Sequence, residues 1–161
     1  MGGYMKIIFL DIDGVLNSVR YDCTKTESDG NIDKTRLPLL KELVDKTDAK
    51  IVLSSSWRIY WESDKAKCDS IGKDIDETFS KFGLTIYDKT PYLTTNDRAR
   101  EIRMWLLSQK ENIENFVILD DAFGGWGELS YNLVQTSALI GKGLEENHIN
   151  AALKILNFKT P

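Results

Sequence analysis

The stretch Lys6-Ile7-Ile8-Phe9-Leu10-Asp11-Ile12-Asp13-Gly14-Val15-Leu16-Asn17 constrains this chain more than any other. Four consecutive apolar residues run straight into two carboxylates and a glycine. An unbroken apolar run bounded by a turn reads as a strand buried on both faces, the kind found at the centre of a parallel α/β sheet. In open sheets of that type ligands bind beyond the carboxyl ends of the strands, which is where Asp11 and Asp13 fall. Residues i and i+2 of an extended segment project to the same side. Two carboxylates so placed repel unless a cation or a shared proton comes between them. A plain Asp-x-Asp-Gly turn has the same composition, so the residues downstream decide between the two readings.

Three more stretches repeat the pattern of an apolar run ending in polar residues. Ile51-Val52-Leu53 leads into Ser54-Ser55-Ser56-Trp57-Arg58. Serines before a helix cap it, and a helix N-terminus with free N–H groups also receives anions. Leu84-Thr85-Ile86-Tyr87 reads as a third strand and Phe116-Val117-Ile118-Leu119 as a fourth, the latter ending in Asp120-Asp121. Adjacent acids at the end of a buried strand are costly unless they meet a cation. Leu133 to Thr136 reads as a short fifth strand.

Helical spacing fills the intervals. Leu37, Leu40, Leu43 and Val44 predict a helix over 34–47, with Pro38 in its first turn. Cys68, Ile71, Ile75, Phe79 and Phe82 give a weaker pattern over 61–83, closed by Gly83. Ala99, Ile102, Trp105 and Leu106 predict a helix capped by Asn96 or Asp97. Arg98 and Arg100 lie in its first turn, where cations oppose the helix dipole, so at least one of them has another purpose. Glu145 to Asn157 predicts a last helix, with Ile149, Leu153 and Leu156 inward and His148 at the surface. Strand–helix alternation of this kind implies an α/β three-layer sandwich, a parallel sheet with helices on both faces. No linker or repeat interrupts it, so residues 1–161 are expected to form one domain. The polar segment 18–33 is expected to fold over the carboxylates as a flap.

Composition narrows the class. An apolar fraction of 42% with 29% charged residues is that of a globular protein. No apolar run is long enough to span a bilayer, no secretory signal is evident, and Cys23 and Cys68 form no disulfide framework. A cytoplasmic protein without membrane partners is the expectation. The net charge of −4 offers nucleic acid no general attraction.

The segment Asp11-Ile12-Asp13-Gly14-Val15-Leu16-Asn17 resembles the first motif of the haloacid dehalogenase (HAD) superfamily of phosphohydrolases. The other three motifs have counterparts in order: Ser55 or Ser54 for the hydroxyl that binds the phosphoryl group, Arg98 or Arg100 for the basic residue, and Asp120-Asp121 for the acids that complete the metal site. The Ser-Trp-Arg ending favours Ser55. The Arg-x-x-Glu-Ile-x-x-Trp-Leu pattern favours Arg98, although the basic residue of the family is more often lysine. Both patterns are similar to those of HAD domains associated with RNA-repair proteins.

The resemblance implies a Rossmann-like, HAD-like fold without a cap domain. It implies an Mg²⁺-dependent phosphatase in which Asp11 is the nucleophile and Asp13 the general acid and base. Ser55, Ser54 and Arg98 would hold the phosphoryl oxygens. Asp11, the carbonyl of Asp13, Asp120 and Asp121 would hold the metal. Capless relatives act on large or exposed phosphates, which points to an RNA or DNA end. Trp57, Arg58, Trp61 and Trp126 are then candidates to stack on bases, unless the tryptophans belong to the core. A small sugar or nucleotide phosphate is the alternative substrate. A receiver-like signalling module, with Lys142 as its basic residue, or an inactive phosphate-binding module is the alternative of another class.

Overall fold

The computed structural model describes residues 4–18 and 32–159. Its first strand, β1 (Tyr4–Leu10), explains its own sequence. Ile8 and Leu10 pack in one core cluster and Ile7 and Phe9 in the other, all fully buried. Consecutive apolar residues are therefore required, because successive side chains of a strand point to opposite faces and both faces are covered.

β2 (Lys50–Leu53), β3 (Ile86–Lys89), β4 (Asn112–Asp120) and β5 (Leu133–Gln135) complete a parallel sheet of order β3-β2-β1-β4-β5. The first face is covered by α1 (Leu37–Thr47), α2 (Ser70–Lys81) and α4 (Glu146–Leu156), through residues such as Leu40, Phe79 and Ile149. The second is covered by α3 (Arg98–Ser108), through Ala99, Ile102 and Trp105, together with Trp126 and Leu129. Trp105 meets Phe9 edge-on, with ring centroids 5.3 Å apart. The expected three-layer, Rossmann-like α/β architecture is present, and no cap domain occurs among the described residues. Of the flap expected over 18–33, residues 19–31 lie outside the described ones.

Several boundaries differ from the sequence reading. The helix expected over 61–83 is confined to α2, preceded by a single 3₁₀ turn over Lys65–Lys67. Asp69 caps α2 by accepting from the Gly72 N–H, which sets a start that apolar spacing does not reveal. The third strand begins two residues late. The Leu84 N–H donates to the Phe79 carbonyl and so closes the end of α2, in a turn where Gly83 takes φ +68°. The strand then continues through Asp88 and Lys89, whose charges are satisfied in place. Asp88 accepts from the Trp105 indole at 2.7 Å, and the Lys89 ammonium donates to the carbonyls of Arg58 and Trp61. After β2 only a 3₁₀ turn forms, Ser56–Ile59, capped by Ser55. His148 is half-buried, and its Nδ1 accepts from the Glu145 N–H at the start of α4. Burial holds its imidazole below the usual pKa.

Candidate active site

The strand order decides which chain ends meet. β1 lies between β2 and β4, with Leu10 in register with Leu53 on one side and Leu119 on the other. The ladder continues one step beyond the strand: the Asp11 N–H donates to the Leu119 carbonyl, and the Ser54 N–H donates to the Leu10 carbonyl. Asp11 therefore sits between the serines after β2 and the acid pair after β4. The chain leaves β1 for β2 on one side and later returns to β4 on the other, so this is the switch point where α/β sheets form a crevice.

Asp11 is 6% exposed, and its Oδ1 accepts from the Ile12 N–H at 2.8 Å. Burial raises its pKa. Arg98, the Ser55 hydroxyl and the Ile12 N–H pull it back down. Asp120 is 1% exposed and is pushed up to about 7 by burial and by the charge of Asp11. Its Oδ1 accepts from the Ala122 N–H, while its buried Oδ2 has no hydrogen-bond donor among the described residues. Asp121 is half-buried and also raised, chiefly by burial. Carboxylate oxygens of Asp11, Asp120 and Asp121 lie within 4.8 Å of one another. Such a cluster favours protons or a cation. Its donors are all hard oxygens, with neither thiolate nor imidazole, and this set suits Mg²⁺. The undonated Asp120 Oδ2 is a further free ligand atom.

Arg98 reaches the acids from the first turn of α3. Its guanidinium nitrogen Nη1 lies 3.5 Å from Asp11 Oδ1 and 3.8 Å from Asp120 Oδ2, and no hydrogen bond uses it among the described residues. Arg100 is exposed, and its backbone N–H joins the Asp97 cap. Arg98 is thus the arginine that belongs to this cluster. Ser55 is the serine whose hydroxyl lowers the pKa of Asp11, and its Oγ caps the following turn by accepting from the Trp57 N–H at 3.3 Å. Ser54 is buried beside it, with an Oγ that has no partner among the described residues.

Asp13 stands apart from the acid cluster. Its side chain is exposed, with Oδ1 accepting from Asn17 Nδ2 and Oδ2 from the Trp57 indole N–H, each at 2.8 Å. Its carboxylate is not among the oxygens that gather at Asp11. Gly14 turns the chain at φ +76°, and its carbonyl accepts from the Thr136 hydroxyl at 2.7 Å. That contact ties the carboxylate loop to the end of β5.

The family described as the HAD domain in Swiss Army Knife RNA repair proteins matches residues 7–149. The chain belongs to this family. It is a HAD-type phosphohydrolase domain, of a family that generally uses Mg²⁺ and acts on phosphate-bearing substrates. No curated protein matches the chain. The receiver reading yields to the HAD assignment. Lys142, on which it relied, is exposed and paired with Glu145.

The HAD site also holds residues that motif reading passed over. Three of the four suggested base-stacking residues are withdrawn. Trp61 and Trp126 are 1% and 3% exposed in the two cores. Arg58 is 3% exposed and paired with Glu101. Trp57 remains partly exposed, but its indole is engaged by Asp13. Asn17 was legible only as the end of the first motif. Its spacing of four from Asp13 is the one signal that the two side chains meet.

Proposed function

We propose that this domain is an Mg²⁺-dependent phosphatase that cleaves phosphate monoesters through an aspartyl-phosphate on Asp11, with a nucleic-acid end as substrate. The observation that carries the reading is the position of Asp11. It is buried at the switch point, 3.5 Å from the Arg98 guanidinium, with its pKa lowered by the Ser55 hydroxyl, and it is clustered with Asp120 and Asp121 at the end of β4.

An Asp11 carboxylate oxygen attacks phosphorus in line, and the bond from phosphorus to the ester oxygen breaks. The departing alkoxide takes a proton from Asp13. In the second half Asp13 takes a proton from water, the water oxygen attacks phosphorus, and Asp11 leaves as carboxylate with inorganic phosphate. The Ser55 hydroxyl and the Arg98 guanidinium hold the equatorial oxygens, where transition-state charge collects. Asp11, the Asp13 carbonyl, Asp120 and Asp121 would hold Mg²⁺, which when bound would offset the charge between the carboxylates and the phosphate dianion.

The substrate class is supported by the family's association with RNA repair and by a sheet edge that carries no cap domain among the described residues. Without a cap among the described residues, binding energy beyond the phosphoryl group has to come from a substrate lying across that edge. Tyr92, 57% exposed, and Phe123, 97% exposed and two residues past Asp121, offer aromatic faces there in place of the buried tryptophans. The test is a screen of end-phosphorylated oligoribonucleotides and oligodeoxynucleotides, nucleotides, sugar phosphates and p-nitrophenyl phosphate, each with Mg²⁺ and with EDTA. A phosphorylated end is expected to exceed p-nitrophenyl phosphate in kcat/KM by ~100-fold or more, ~2.7 kcal/mol of transition-state binding. A sugar phosphate or mononucleotide that outperforms every polymer refutes the substrate class. Full activity after exhaustive chelation refutes the metal requirement.

A further inference from the structure

Asp13 is an exposed side chain on a loop, yet both of its oxygens are held. The two donors are fixed in different ways. The Asn17 amide is oriented locally: its Oδ1 accepts from the Gly14 N–H at 3.0 Å, which turns Nδ2 toward Asp13. Trp57 comes from the loop after β2. Its backbone N–H is bound to Ser55 Oγ, and its ring packs partly buried against the first core cluster. The indole N–H cannot be re-aimed without disturbing that ring packing. One residue thus joins the hydroxyl beside Asp11 to the carboxylate two residues beyond it.

We propose that Trp57 is a positioning residue for proton transfer: its indole N–H fixes the Asp13 carboxylate at the angle from which it serves the ester oxygen. The inference rests on the acid–base role proposed for Asp13. A free aspartate side chain samples several rotamers. A proton donor displaced by about 1 Å can cost of the order of 100-fold in rate. The contact is a directional hydrogen bond from the indole N–H to Asp13 Oδ2 at 2.8 Å. It reaches Asp13 Oδ2 from the turn after β2, a separate segment of the chain, so motion of the Asp13 loop alone does not carry both partners together.

The test separates leaving groups. Trp57→Phe, Asp13→Asn and the double variant are assayed with Mg²⁺ on p-nitrophenyl phosphate, whose leaving group departs without a proton, and on phenyl phosphate, whose leaving group needs one. Replacement of Trp57 by β-(3-benzothienyl)alanine, with sulfur in place of the N–H, keeps the ring and its packing, so the test stands if Trp57→Phe folds poorly. Both Trp57 variants are expected to lose about 10-fold in kcat/KM on phenyl phosphate and less than about 3-fold on p-nitrophenyl phosphate, kcat/KM being the constant that reports phosphoenzyme formation and leaves out the hydrolysis step common to both substrates. In the Asp13→Asn background the same change is expected to have no further effect. Equal losses on the two substrates, with Asp13→Asn still selective, overturn the role of Trp57 and leave that of Asp13 standing. Selective losses that add to those of Asp13→Asn also overturn it, because the effect then bypasses Asp13. If Asp13→Asn is itself unselective, the acid–base reading fails and this inference fails with it.

Discussion

The Arg58 guanidinium and the Glu101 carboxylate meet at 2.6 Å, with side chains 4% and 1% exposed. The pair joins the turn after β2 to the first turns of α3, and so ties the segment carrying Ser55 to the helix carrying Arg98. Arg58 also donates from Nη1 to the Ser55 carbonyl at 2.6 Å, and Glu101 accepts from the Leu93 N–H at 2.8 Å. Removing one charge leaves the other buried and uncompensated. Glu101→Gln is therefore expected to lower stability by about 3 kcal/mol, which is a fall in Tm of about 6–12 °C for a chain of this size. Arg58→Met combined with Glu101→Leu is expected to recover most of it, since apolar replacement of a buried pair is often neutral. Thermal and urea unfolding of the three proteins check this, and an unaltered Tm for Glu101→Gln contradicts it.

Asp11→Asn keeps the shape of the side chain and removes the charge proposed to attack phosphorus. Turnover is expected to fall by about 10³-fold or more. The fold should survive, because burial already disfavours the charged form of Asp11. Circular dichroism and phosphatase activity on one preparation check both halves. Near-normal turnover in a sequence-verified variant contradicts the assignment.

The acid cluster makes stability depend on pH in a defined direction. The Asp120 carboxyl is pushed up to about 7 in the folded protein, from an ordinary value of 3.8. Between these values the folded state holds the extra proton, so stability falls as pH rises through this window and stays low above it. Asp11 and Asp121 are raised as well and act in the same sense. The EDTA-treated protein is expected to be about 2 kcal/mol less stable at pH 8 than at pH 5, a Tm lower by roughly 6 °C. Mg²⁺ at pH 8 should restore it, and Asp120→Asn should flatten the slope. A metal-free Tm that climbs from pH 5 to pH 8 contradicts this account.

Gly14 is required by space as well as by backbone angle. A Cβ at this position would lie 2.3 Å from Asp121 Cγ, at φ +76°. Gly14→Ala is expected to displace Asp121 and to raise the Mg²⁺ concentration for half-maximal activity by about 10-fold or more, comparable to losing a ligand's supporting contact. Titration of activity with Mg²⁺ measures it. An unchanged midpoint would show that Asp121 has no part in holding the metal.

What the sequence by itself determined is whatever depends on neighbours along the chain. Runs such as Ile7–Leu10 and Phe116–Leu119, alternating with helical spacing, read as strands of a parallel sheet covered on both faces, and the residues after them then stand at one edge of that sheet. Asp11, the serines after β2 and Asp120-Asp121 stood out for that reason, whereas the preference for Ser55 over Ser54 and for Arg98 over Arg100 came from the resemblance to the HAD motifs. Tertiary structure alone decided the matters that turn on contacts between distant segments. The order β3-β2-β1-β4-β5 brings Ser55 and Asp120 to either side of Asp11. The packing of two separate cores takes Trp61 and Trp126 out of solvent. A bond from Trp57 to Asp13 spans β1 and β2, and a pair from Arg58 to Glu101 spans β2 and α3. An indole or a guanidinium has the same sequence neighbours whether it is stacking, packing or pairing. Its role is set by which groups the fold brings within hydrogen-bonding reach of it, and residue spacing carries no record of that distance.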